Sequence, residues 1–242
     1  MNKTVAAIFA ISILGAAMFL AKAYKTRGDQ AGHISVTGLG SIDFSSDQIL
    51  WTGQFETSDK DLAKAFETIR KHRKIVEEYL LERGVQGSDI TFRQVDSEEE
   101  KRSIYNDNGK YIGSEFEAYR LSQVVQIDSK DLDLVISISR EISELLEQGL
   151  EIESYNPKFY YSELDDLKLN LIRQASENGR IRAEQIADNS KSKIKGLNSA
   201  KLGVFQILGY NSGESYSWSG TFNTSSRWKT ASITVKMDFE VE

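Results

Sequence analysis

Cysteine does not occur in the chain, which removes disulfides, thiol catalysis and thiolate metal sites together. Only His33 and His72 remain as soft ligands, and a zinc site needs three or four that converge, so no metal is expected. Catalysis by a Ser-His-Asp set would have to recruit one of the same two histidines, and the G-x-S-x-G, H-E-x-x-H and P-loop patterns are missing as well. The chain is therefore read as a non-enzyme, with no catalytic residue and no cofactor. Basic residues are not set apart in an arm: 30 Lys and Arg mix with 36 Asp and Glu for a net charge of −6, which leaves no footprint for nucleic acid. The run Glu98, Glu99, Glu100 beside Lys101 and Arg102 reads as a solvated hairpin rather than as an acid and base pair.

A dinucleotide loop is lacking too. Gly38-Leu39-Gly40 stands between two apolar alternations, but a phosphate-binding fingerprint needs a third glycine and a helix directly after it. Here Ser-Ile-Asp-Phe follows and the next element is a strand, so the stretch reads as a turn between two strands.

What is present begins with residues 4 to 21, "TVAAIFAISILGAAMFLA", an uncharged run preceded by Lys3 and followed by Lys22, Lys25 and Arg27. At about 1.5 Å per residue it is just long enough to span a bilayer. The expectation is a single N-terminal membrane span with the remaining chain in the periplasm. The alternative is a secretory signal cut near Ala23, which leaves a soluble periplasmic protein. The chain is accordingly divided into an anchor or signal segment (1–28), a linker (29–32) and an α+β domain (33–242).

In that domain a strand carries Ile49, Trp51, Gly53 and Phe55 on one face. An amphipathic helix follows from Asp59 to Arg83, with Leu62, Phe66, Ile69, Val76 and Leu80 inward, Ser58 as N-cap and Gly84 closing it. A charged hairpin turns at Asn108-Gly109. A second helix, about 130 to 148, turns Leu132, Val135, Ile136, Ile142, Leu145 and Leu146 inward and stops at Gly149, and the strand "LEIESYNPKFYY" follows, ending near Pro157, the single proline. Strand, helix, strand, strand, helix, strand is the order of a ferredoxin-like split βαβ unit, placed at about 47–161. A long helix (163–194) and further antiparallel strands extend it. The helix carries Leu171, Ala175, Gly179, Ala183 and Ile186 in one stripe, and the last strand alternates through Ala231, Ile233, Val235, Met237, Phe239 and Val241.

Aromatic residues in polar loops often mark contact surfaces. Tyr105 and Tyr111 on the hairpin, with Tyr216, Trp218 and Phe222 in the late Gly/Ser/Asn loop, are the candidates; the other reading is that they fold back over a sheet edge. The leading function is an envelope protein that assembles with itself or binds an envelope partner. A small-molecule-binding or hydrolytic protein, using a cleft floored by Ala175, Gly179 and Ala183 beside helix 163–194, is the alternative.

The string "ISVTGLGSIDFSSDQILWTGQFET" resembles the N-terminal signature of SIMPL-domain proteins. The resemblance continues through "LLERGVQGSDITF", "YIGSEFEAYRLSQVVQI" and "NGRIRAEQIA", the last with Arg182 where lysine is common, and covers nearly everything from Ile34 to Glu242. Residues 211–228 depart from the family pattern. The resemblance implies an exported bacterial protein of the type that includes periplasmic immunogenic proteins, a tendency to form oligomers, a link to stress tolerance and no catalytic residues to carry over.

Overall fold

A computed structural model describes residues 11–22 and 32–242. Residues 29–31 of the linker and the cleavage position near Ala23 lie outside the described residues, as do positions 4–10 of the apolar run. Helix α1 (11–22) exposes its apolar side chains, Ile11, Leu14, Met18 and Phe19 among them. No helix among the described residues is long and apolar enough to cross a membrane. Strand β1 (His33–Ser45) follows, and the chain then divides into two compact units.

The larger unit comprises Asp43–Asp166 and Gln206–Ala231. It contains β2 (Gln48–Asp59), α2 (Leu62–Glu82), β3 (Ile90–Tyr105), β4 (Tyr111–Ser129), α3 (Leu132–Glu141), β5 (Glu151–Ser154) and β6 (Lys158–Tyr160). The sheet order is β3-β4-β2-β5 with every pairing antiparallel, which is the order of the split βαβ unit; β6 adds to β2 beyond β5. Ile49, Trp51 and Phe55 alternate onto the buried face of β2 and meet Leu121, Val125 and Ile127 of β4, with Ile69, Val76 and Leu80 of α2 and Val135 and Ile138 of α3 above them. The Trp51 indole N–H, which would be costly to bury alone, donates to Ser154 Oγ at 2.9 Å. Buried Gln123 donates to the Arg93 carbonyl where β3 bulges between Phe92 and Val95.

Several local expectations are corrected. The turn after β1 falls at residues 46–47, not at Gly38-Leu39-Gly40, which lie inside the strand. Helix α2 starts later than Asp59, because β2 keeps pairing with β4 through Asp59 and Asp61 then accepts the N–H groups of Ala63 and Lys64. Ser58 is still strand. Replacing Asp61 by alanine is expected to cost about 1 kcal/mol in urea denaturation, whereas Ser58→Ala should leave the midpoint within error. Ala65, not Phe66, completes the buried stripe of α2; Leu62 and Phe66 instead line an open hollow of about 660 Å³ with Val95, Ser97 and Leu121. The second helix tightens to a 3₁₀ turn from Ile142 to Gln148, which buries Ile138, Ile142 and Leu145 and leaves Leu146 exposed. Pro157 splits the expected single strand into β5 and β6.

The smaller unit comprises the chain up to Ile42, Leu167–Phe205 and Ser232–Glu242. Its helix α4 (Leu164–Asn189) ends five residues before the expected 194, where Lys191 takes a left-handed conformation with φ 57°. β7 (Ile194–Leu202) then pairs antiparallel with β10 (Trp228–Val241), from Val235 opposite Leu202 to Val241 opposite Ile194. β7 carries no apolar alternation and is exposed along nearly its whole length, which is why its sequence gives no strand signal. The buried stripe of α4 runs Leu167, Leu171, Ala175, Gly179, Ala183, Ala187, and Ile186 stands exposed beside it.

Strand β1 meets this stripe at its glycines. A Cβ on Gly38 would stand 1.9 Å from the Ala175 carbonyl oxygen and 2.6 Å from the Gly179 nitrogen; one on Gly40 would stand 2.3 Å from the Leu171 oxygen. The two glycines let helix backbone rest on strand backbone. Arg182 donates to the Thr37 carbonyl and the Leu39 N–H donates to Asn178 Oδ1, which pins the crossing from both sides.

Candidate functional site

The late segment of the larger unit holds β8 (Gln206–Gly209) and β9 (Thr221–Phe222), which pair in parallel. Parallel neighbours need a long return connection, most often a helix. Here residues 210–220 return without one, and three buried polar side chains hold them. Gln206 Oε1 accepts the N–H groups of Ser217 and Thr221 while its Nε2 donates to the Ser217 carbonyl at 2.7 Å. Asn223 donates through Nδ2 to Glu214 Oε1 and Ser225 Oγ and accepts the Ser226 N–H. The Gly209 N–H, the Asn223 amide and the Ser212 hydroxyl together hold the Glu214 carboxyl below its ordinary value, the Gly209 bond counting most.

Lys229 is the third buried polar group and is 1% exposed. Its Nζ donates to the carbonyls of Phe159 and Asn223 at 2.6 and 2.7 Å, tying β6 to the residue that follows β9. The same ammonium lies 5.7 Å from the centre of the Phe222 ring. Burial pushes its pKa down to about 8, with the Glu214 carboxylate opposing that shift.

All five candidate aromatics are exposed. Tyr105 and Tyr111 face each other across the hairpin end, ring centres 6.0 Å apart and edge to face. Asn106 Oδ1 supports that turn by accepting the Asn108 and Lys110 N–H groups, and Gly109 takes the positive φ of 74° that the reversal requires. Tyr216 is 70% exposed, Trp218 100% and Phe222 47%, so the loop set does not fold back as cover. No ring contact joins the hairpin pair to the loop set among the described residues.

The cleft expected over Ala175, Gly179 and Ala183 is filled. Gly38 and Gly40 of β1 lie against it, and a Cβ on Gly179 would stand 2.0 Å from Met237 Cε. A hollow on that unit lies aside from the stripe, between Val36 and Thr37 of β1 and Arg182, Gln185 and Ile186 of α4. Among the described residues no three His, Asp or Glu side chains are grouped to hold a metal.

Sequence reasoning missed Gln206, Glu214, Asn223 and Lys229. One signal was available: the inward alternation of β10, read back two residues from Ala231, lands on Lys229.

An antiparallel ferredoxin-like unit and a second unit in which a helix rests on strand glycines define an α+β protein that displays exposed aromatics on hydrogen-bonded loops. The family model SIMPL (Protein of unknown function, DUF541) matches residues 34–240, and the chain belongs to that family. No curated protein matches it.

Proposed function

We propose that this SIMPL protein is an exported, membrane-anchored envelope protein of non-enzymatic type, which assembles with itself or with an envelope partner through its exposed aromatics. The observation that carries this reading is the exposure of Tyr105, Tyr111, Tyr216, Trp218 and Phe222 on supports that are already ordered. Ordered supports matter because a contact made by a preformed loop does not lose the entropy of ordering it. The apolar run at 4–21 supports the anchor, and the family resemblance supports export and a part in stress tolerance.

Chemical cross-linking of the detergent-solubilised full chain tests the contact. A discrete cross-linked species is expected, and Tyr105→Ser combined with Tyr111→Ser should lower its yield about fivefold or more. A strict monomer by light scattering at micromolar concentration, with nothing cross-linked in membranes, would remove this reading. Export is tested separately by protease access in spheroplasts. Ile11→Arg should cost about 2.5 to 3.5 kcal/mol of insertion free energy and leave the domain protected inside, whereas the unaltered chain should be cut.

A further inference from the structure

We infer that the 215–222 loop is an interfacial membrane contact, with Tyr216 and Trp218 seated at the headgroup level of a phospholipid bilayer. This rests on the anchored reading above and assigns one of the two aromatic sets to lipid.

From Ser215 to Ser226 the loop carries no charged residue, so its approach to a low-dielectric surface strips no ion of water. Four of its backbone donors are already used: Ser217 N and Thr221 N bond to Gln206 Oε1, Gly220 N to the Ser217 carbonyl, and Ser219 N to Ser217 Oγ. At the tip stand the two residue types enriched at membrane interfaces, where an apolar ring with one polar edge suits the headgroup boundary. Among the described residues Trp218 makes no ring contact, and it is bare to solvent.

A protein pocket would also accept a bare tryptophan. What favours lipid is that the same chain displays an apolar helix, α1, whose Ile11, Leu14, Met18 and Phe19 are all exposed, so a bilayer is the surface this chain brings itself to. The ring of serines around Tyr216 and Trp218 offers hydroxyls to headgroups but no shaped, charged recognition.

The chain has three tryptophans, of which Trp51 is buried, so fluorescence isolates the loop once Trp228 is replaced. Full chain carrying Trp228→Phe is reconstituted into phosphatidylcholine vesicles with brominated acyl chains. Bromine is expected to quench about half of the emission, the Trp218 share, and adding Trp218→Phe should abolish the quenching while the near-ultraviolet dichroism of Trp51 persists. Three results overturn the inference. If the chain floats with vesicles but iodide, not bromolipid, quenches Trp218, the loop faces water. If neither quencher reaches it, a protein surface covers it. Both leave the anchor standing. A chain that does not float with vesicles removes the anchor and the inference together.

Discussion

Gly38→Ala is expected to be the most damaging single methyl that can be added to the smaller unit. The new Cβ would lie 1.9 Å from the Ala175 carbonyl oxygen and 2.6 Å from the Gly179 nitrogen, both backbone atoms of α4. No rotamer change relieves a clash with backbone; the helix itself has to rise from the strand, which separates the buried stripe and strains the Arg182 to Thr37 and Leu39 to Asn178 bonds. Overpacking of this kind costs roughly 3 kcal/mol. Gly179→Ala makes the control, because its Cβ would meet the free end of Met237 at 2.0 Å and that methyl can swing away. Alanine is also favoured over glycine inside a helix by about 1 kcal/mol, which offsets part of the cost. Urea denaturation should therefore show a large loss for Gly38→Ala and a small change for Gly179→Ala. Equal losses would mean that the helix does not rest on strand backbone at that point.

Lys229 gives the second large effect. Lys229→Ala removes the donor to two buried carbonyls and leaves a hollow beneath Phe222, a combined loss of about 3 to 4 kcal/mol. Its pH signature is separate. The folded pKa of about 8 lies below the ordinary 10.5, so between those values the unfolded chain binds more protons than the folded one, and stability rises with pH. The cost of burying the charge is fully present below about pH 8 and is relieved by pH 10.5, a gain of about 3 kcal/mol. Lys229→Met keeps the length and cannot titrate, so its urea midpoint should lack this rise. Tyr79, half-buried and held neutral above its ordinary pKa chiefly by that burial, acts in the opposite sense at the alkaline end and is common to both proteins. An unchanged slope in Lys229→Met would show that the ammonium is hydrated in the folded state.

The ferredoxin-like half was legible because each of its elements carries its own instruction. The alternation of Ile49, Trp51 and Phe55 sets which face of β2 is buried before any partner arrives, and Gly84, Gly109 and Gly149 adopt positive φ where helices or the hairpin must stop or turn. The expectation of exposed loop aromatics was drawn from polar surroundings, a local property, and all five are exposed. Helix edges were less legible. Ser58 is a good N-cap by type, yet pairing of β2 with β4 extends through Asp59 and moves the start to Asp61 and Leu62, a choice made by a strand 60 residues further on.

Residue order alone therefore determined the split βαβ order and the stops and turn at Gly84, Gly109 and Gly149, since these follow from periods and backbone preferences within a few residues. The tertiary structure decided what the glycines and the lysine are for. Gly38 and Gly40 read as a turn until a helix from residues 164–189 lies on them, and only that close approach explains why no side chain stands there. The alternation of β10 turns Lys229 inward, but only the fold brings the Phe159 and Asn223 carbonyls to it, from 70 and 6 residues away. Close approach and hydrogen-bond satisfaction are relations between distant segments, and a local pattern holds no record of the partner that completes them.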